Sequence, residues 1–236
     1  MEKVLTQLVG KLQAAFQDRL VSVVLYGSAV TGDHQPKFSD YNVLCVLSEL
    51  TRRELAAGEP IFRWWREQGS PAPLLMTEHE VATCTDCFAI EFHDIQCCHK
   101  LLHGKDVVTG LTIDDSFYRA QVEHDLRTKV LRLRQKAAGM LSAPDLLRRM
   151  LLDSVSTFCV LFRHALLLHG VDAPLRKREI VYAARQRFAI DAAPFEKLLD
   201  VREERIKPRE ADAVALLDPY LTGIAVVIDA VDRLEK

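Results

Sequence analysis

Leu25-Tyr26-Gly27-Ser28-Ala29-Val30-Thr31-Gly32, followed after a polar interval by Ser39-Asp40-Tyr41-Asn42-Val43-Leu44-Cys45-Val46-Leu47, decides the fold of this chain of 236 residues. The apolar run Val21 to Tyr26 stops at Gly27-Ser28, and a second apolar run opens behind Asp40. This reads as strand, Gly-Ser turn, short helix and strand, with Asp40 at the mouth of the second strand. Successive strand residues point to opposite faces, so positions 40 and 42 share a face and Tyr41 takes the other. Glycine has no Cβ, which lets the backbone amides of the turn approach a phosphate, and the helix start adds partial positive charge. Magnesium takes hard oxygen ligands, usually one or two carboxylates plus substrate phosphates. The parts suit a nucleoside triphosphate with Mg2+ or Mn2+, as phosphoryl chemistry requires.

These residues resemble the nucleotidyltransferase superfamily of DNA polymerase β, kanamycin nucleotidyltransferase and the streptomycin adenylyltransferases. Its signature is Gly-Ser, a short helix, then Ser-Asp-x-Asp leading an apolar strand; here Asn42 replaces the second aspartate. The resemblance implies that Gly27, Ser28 and Asn42 meet the nucleotide and that Asp40 is the principal metal ligand. Asn42 is then a weak ligand, since an amide oxygen can coordinate but carries no charge. The alternative for Asn42 is a structural residue that ties down the neighbouring loop. Phe88-Ala89-Ile90-Glu91-Phe92-His93-Asp94-Ile95 alternates and predicts a half-buried strand with Glu91 opposite its apolar face. Streptomycin adenylyltransferases carry a similar strand, which implies that Glu91 is third metal ligand and general base, with Asp94 the second candidate. Leu102-His103-Gly104-Lys105-Asp106 is similar to the turn that closes the catalytic half in relatives of unknown function.

Around this core the chain alternates helix and strand up to about residue 112. A helix is expected from Glu2 to Asp18. Another is opened by the capping pattern Thr51-Arg52-Arg53-Glu54 and closed by Gly69. A strand at Leu74–Met76 should lead into a short helix capped by Thr77. After Asp114 only helical spacing remains, over 116–138, 144–169, 176–188, 194–205 and 210–234. The expected fold is therefore an α/β (α+β) nucleotidyltransferase-like mixed sheet with helices over 1–112, then an all-α helical bundle over 113–236.

Composition is that of an ordinary globular protein, 49% hydrophobic and 27% charged. The N-terminus has no long apolar run, and charges interrupt Leu146 to Leu168, so the expectation is a cytoplasmic protein without a membrane span. The net charge of −2 conceals a basic middle: residues 116–190 carry 14 basic and 6 acidic side chains. That segment suits an anionic substrate and is expected to turn some of Arg127, Arg132, Arg134, Arg176, Lys177 and Arg178, with Arg127 and Arg134 pointing alike, toward the triphosphate; the alternative is a solvated helix face. No aromatic-interleaved basic patch supports nucleic-acid binding. Of six cysteines, Cys84-Thr85-Asp86-Cys87 with Cys97, Cys98, His99 and His103 could in principle bind zinc. The second pair lacks the two-residue spacing and an apolar run separates the groups, so these and Cys45 and Cys159 read as free thiols. Arg163 and His169 resemble the Arg…His motif of the HEPN helical-bundle ribonucleases, but six positions apart they lie about 240° around a helix. They read instead as a snorkelling arginine and a helix-end histidine.

The function expected is binding of a magnesium–nucleoside triphosphate, with nucleotidyl transfer to an acceptor hydroxyl through Asp40 and Glu91. The alternative is a non-catalytic nucleotide-binding or regulatory protein, of toxin–antitoxin type, whose helical half engages a partner or a second copy.

Overall fold

Leu20–Tyr26 forms strand β1 and Asn42–Leu47 forms β2, paired antiparallel with Tyr26 opposite Asn42 and Leu20 opposite Leu47. The computed structural model describes residues 2–33, 35 and 38–234. Strand β3 (Leu74–Thr77) runs parallel to β2, and β4 (His99–Gly104) antiparallel to β1, giving the sheet order β3-β2-β1-β4. A parallel neighbour needs a crossover. Helix α3 (Arg52–Glu67) supplies it, after α1 (Glu2–Phe16) and the short α2 (Ser28–Thr31).

Strand alternation divides the sheet cleanly. Val23, Leu25, Val43, Cys45 and Leu47 join Leu8, Leu12 and Phe16 of α1 and Ile61, Phe62 and Trp65 of α3 in one core. On the other face Val24, Leu44, Val46 and Met76 meet Val81, Phe92 and Ile95, with Tyr26 packed against them. Val81 lies on α4 (Glu78–Thr83); Phe92 and Ile95 lie on α5 (Ala89–Cys97). At about 1.5–3 kcal/mol per large apolar side chain buried, these two layers dominate the stability of the sheet. The predicted caps are present. Thr51 and Glu54 form a capping box, as do Thr77 and Glu80, with the Thr77 amide donating to Glu80 Oε2 at 2.7 Å. Buried Glu54 also pairs with Arg19 at 2.8 Å.

One element is not as expected. Phe88–Ile95 is not a strand: Ala89–Cys97 is helix α5, and the fourth strand is His99–Gly104. Ala89, Phe92 and Ile95 are buried while Phe88 is 47% exposed, a helical period of three to four. Ile90 is buried as well, so the expected stripe Phe88, Ile90, Phe92 fails at exposed Phe88 and burial follows the helix instead.

By its internal contacts the chain divides into Met1–Ser116 and Phe117–Lys236. The second unit contains α6 (Tyr118–Ala138), α7 (Pro144–Leu168), α8 (Lys177–Phe188), α9 (Ala193–Arg202) and α10 (Ala213–Asp232). Helix α7 is its centre, with Leu151, Val155, Phe158, Phe162 and Leu166 all buried. Both α7 and α10 are long and apolar enough, by length and composition, to cross a membrane. Here they pack on one another: Tyr220 of α10 stacks edge-on against Phe158, and its hydroxyl lies 2.9 Å from Ser154 Oγ. Arg163 is buried in the bundle, and His169 caps α7 by hydrogen bonding the Ala165 carbonyl at 2.8 Å.

Candidate functional site at the Gly27 end of the sheet

Gly27 occupies a backbone conformation that favours glycine, φ 77° and ψ −149°, and is the N-cap of α2. Its carbonyl accepts from the Val30 and Thr31 amides at 2.9 and 3.2 Å. The amides of Ser28 and Ala29 stand at the helix start, where no intrahelical acceptor precedes them. A Cβ built on Gly27 would lie 3.0 Å from Asn42 Nδ2. The Gly-Ser turn and the Asn42 side chain are therefore in contact across the β1–β2 pair. Gly27→Ala should cost about 1–3 kcal/mol of stability through its positive φ and push Asn42 aside. Chemical denaturation, with nucleotide titration, reads both effects; a variant as stable and as tightly binding as wild type would show that the turn tolerates a side chain.

Position 41 fixes the facing of position 42. The Tyr41 ring lies 6.1 Å from that of Trp65 and packs on the α1/α3 core, while its amide donates to Ser70 Oγ at 3.2 Å. Asn42 consequently faces the α5 side, beside Tyr26. Asp40 lies just ahead of β2 with its side chain exposed. Nothing in the described fold covers it.

Glu91 and Asp94 lie on α5 rather than on a strand adjacent to β2. Three apart, they share a helix face. Their charges both act on the Tyr26 hydroxyl, whose ionisation is pushed up to about 12 from 10.0, first by burial, then by Glu91, then by Asp94. Glu91 is thus on the Asn42 side of the sheet, exposed and in the first turn of α5. Glu91→Gln together with Asp94→Asn should bring the Tyr26 ionisation below about 12 in an ultraviolet pH titration. An unmoved transition would place both carboxylates away from that hydroxyl. The linkage has a definite sign. Below pH 10 the Tyr26 hydroxyl is neutral in folded and unfolded chains alike. As pH rises from 10 toward 12 only the unfolded chain ionises, so stability falls. Buried Cys45, pushed up to about 12 from 9.0, adds to that loss from pH 9 upward.

A cavity of about 360 Å³ adjoins this end of the sheet, lined by Tyr26 and Asn42 and walled by Pro71–Leu75. Sequence reasoning gave no role to Tyr26 or to this wall. The signal for Tyr26 was its position immediately before Gly27; Pro71-Ala72-Pro73 marked only a loop. The turn after β4 is structural. Asp106 accepts from the Val108 and Thr109 amides at 3.0 and 2.9 Å, which holds its carboxyl at about 2. The described residues contain no group of three or more His, Cys, Asp or Glu side chains set to hold a metal. The donors present, exposed carboxylates and one amide, suit a magnesium ion that arrives with phosphates rather than a resident one.

No family model and no curated protein matches the sequence. Among solved structures the chain is similar to spectinomycin adenyltransferase AAD(9) from Enterococcus faecialis, crystallised with ATP and spectinomycin. The match has a TM-score of 0.56 at 15% identity and covers 98% of this chain and 99% of that one. The chain has a nucleotidyltransferase fold. Near-complete coverage extends the likeness through the helical half, as the expected architecture requires.

Proposed function

We propose that the chain binds a nucleoside triphosphate with magnesium at the Gly27 end of its sheet and transfers the nucleotidyl group to an acceptor hydroxyl. The observation that carries this is the contact between the Gly27-Ser28 turn and Asn42, on the face where Glu91 and Asp94 act on Tyr26. The fold matches one that holds ATP in the AAD(9) crystal. In this reading the Ser28 and Ala29 amides receive a phosphate, and the Pro71–Leu75 wall takes an apolar part of the nucleotide. Asp40, with Asn42 and Glu91, would hold the magnesium, which offsets phosphate charge. Glu91 accepts the proton as the acceptor oxygen bonds to the α-phosphorus and the bond to pyrophosphate breaks. Pyrophosphate and a nucleotidylated acceptor are the products. Incubation with each radiolabelled nucleoside triphosphate, magnesium or manganese, and a cell extract should give a covalently labelled product. Binding without transfer under all of these conditions would leave only the nucleotide-binding part of the reading.

Asn42 supports a second reading, a nucleotide-binding regulatory protein, because the paired-carboxylate signature is incomplete. Asn42→Asp separates the two. If position 42 belongs to the metal site, restoring the charge should tighten magnesium–nucleotide binding by roughly tenfold, about 1.4 kcal/mol. It should slightly destabilise the metal-free protein, since added negative charge then faces Glu91 and Asp94. Calorimetric titration of both proteins decides it, and equal affinities would make Asn42 a structural residue.

A further inference from the structure

Helices α6 and α7 enclose a second cavity, of about 530 Å³, entirely within the helical unit. Lys129, Arg132 and Lys136 line it from α6 at spacings of three and four, which put them on one face. Arg149 lines it from α7, where Asp153 is its one carboxylate. The floor is apolar: Leu133, Met150 and Phe158 are each at least nine-tenths buried.

Among the described residues, the cations that line this cavity lack the carboxylate partners that several neighbouring arginines have. On the same two helices Arg119 and Arg127 bind Glu123, and Arg148 binds Asp145. On α8, Arg178 binds Asp200 and Glu203. Among the described residues, Lys129, Arg132, Lys136 and Arg149 have no ion pair or hydrogen bond to another side chain. Four unpaired cations over one carboxylate repel each other, and all four face one hollow. The volume falls within the usual range for small-ligand sites, about 300–1,000 Å³.

We infer that this cavity binds a small organic anion, with its negative groups on the α6 cations and Arg149 and an apolar body on Leu133, Met150 and Phe158. Nucleic acid fits less well. The lining presents no exposed aromatic ring to stack a base, and Asp153 interrupts the positive rim. This site is independent of the nucleotide reading, since it shares no residue with the Gly27 end of the sheet.

Titration with the fluorescent anion anilinonaphthalene sulfonate tests it. Wild-type protein should bind one equivalent saturably, with displacement by inorganic pyrophosphate and weakening at high salt. Arg132→Glu with Lys136→Glu, both exposed positions, should reduce that affinity at least about tenfold. Far-ultraviolet circular dichroism verifies the fold, and Lys129→Gln with Arg149→Gln serves if the first pair fails to fold. Gly27→Ala should leave dye binding unchanged, which separates this site from the nucleotide site. Dye affinity indifferent to both charge variants, or no saturable binding, overturns the proposal. So does an oligonucleotide whose affinity grows with length beyond what the cavity holds, which would assign the cations to nucleic acid.

Discussion

Replacing Asp40 by asparagine should reduce nucleotidyl transfer at least about a hundredfold, corresponding to roughly 2.7 kcal/mol or more of lost transition-state stabilisation. The reason is arithmetic on charge. In the proposed site a triphosphate and its cation need fixed anionic ligands, and position 42 would offer only an amide there. With Asp40 also neutral, the β2 end of the site would present two amides and no charge, and only the α5 carboxylates would remain. Folding should be untouched, because Asp40 is exposed and lies outside the strand. The check is the rate of label transfer from radiolabelled nucleotide in wild type and variant, with a denaturation curve for each. Transfer within a fewfold of wild type would mean that Asp40 is a solvated loop residue and that another group holds the cation.

The largest effect on stability is expected at Gly104. Its φ is 79°, and a Cβ there would lie 2.1 Å from the backbone carbonyl oxygen of Val21. That oxygen also accepts from the amide of the next residue, Lys105, at 3.0 Å, which holds it close to the Gly104 turn. The Gly104→Ala clash is with backbone, which cannot rotate away, and β4 must shift along β1. The shift would disturb the pairing of His99 with Tyr26 and hence the site end of the sheet. A loss of about 3 kcal/mol or more is expected. Gly110 provides the comparison: φ is 82°, with open space around it. Gly110→Ala should cost only the left-handed strain, about 1–2 kcal/mol. Denaturant midpoints for the two variants separate steric clash from strain; equal losses would mean that β4 adapts freely.

Much of the site-bearing sheet was legible because its signals are local. Thr51 to Glu54 and Thr77 to Glu80 satisfy helix-start amides within four residues, so the pattern and the structure agree. Val21 to Tyr26 and Val43 to Leu47 are buried on both faces, and continuous apolar runs of that length mark central strands. Strand β4 gave no such mark. It lies at the sheet edge with Leu101 38% exposed, and His99, Lys100 and His103 break any alternation. Its place is set by pairing with β1, 73 to 82 residues away in sequence, which composition does not encode. The neighbouring Phe88–Ile95 run then attracted the strand assignment because aromatic and β-branched residues favour strands, while packing of Ala89, Phe92 and Ile95 against the sheet made it a helix. The helix nonetheless carries Glu91 close enough for its charge to act on Tyr26. The tie between Gly27 and Asn42 was half-visible: the motif put them near one another, but only the register of β1 with β2 brings the amide onto the glycine.

Calorimetric titration of ATP with magnesium into wild-type protein, Gly27→Ala and Asp40→Asn tests the central claim most directly. The account predicts one saturable site per chain in the wild type. Gly27→Ala should weaken it at least tenfold through the displaced turn, and Asp40→Asn should weaken it chiefly when magnesium is present. Absence of saturable binding to the wild type, or equal affinity in all three proteins, would contradict a nucleotide site at the Gly27 end of the sheet.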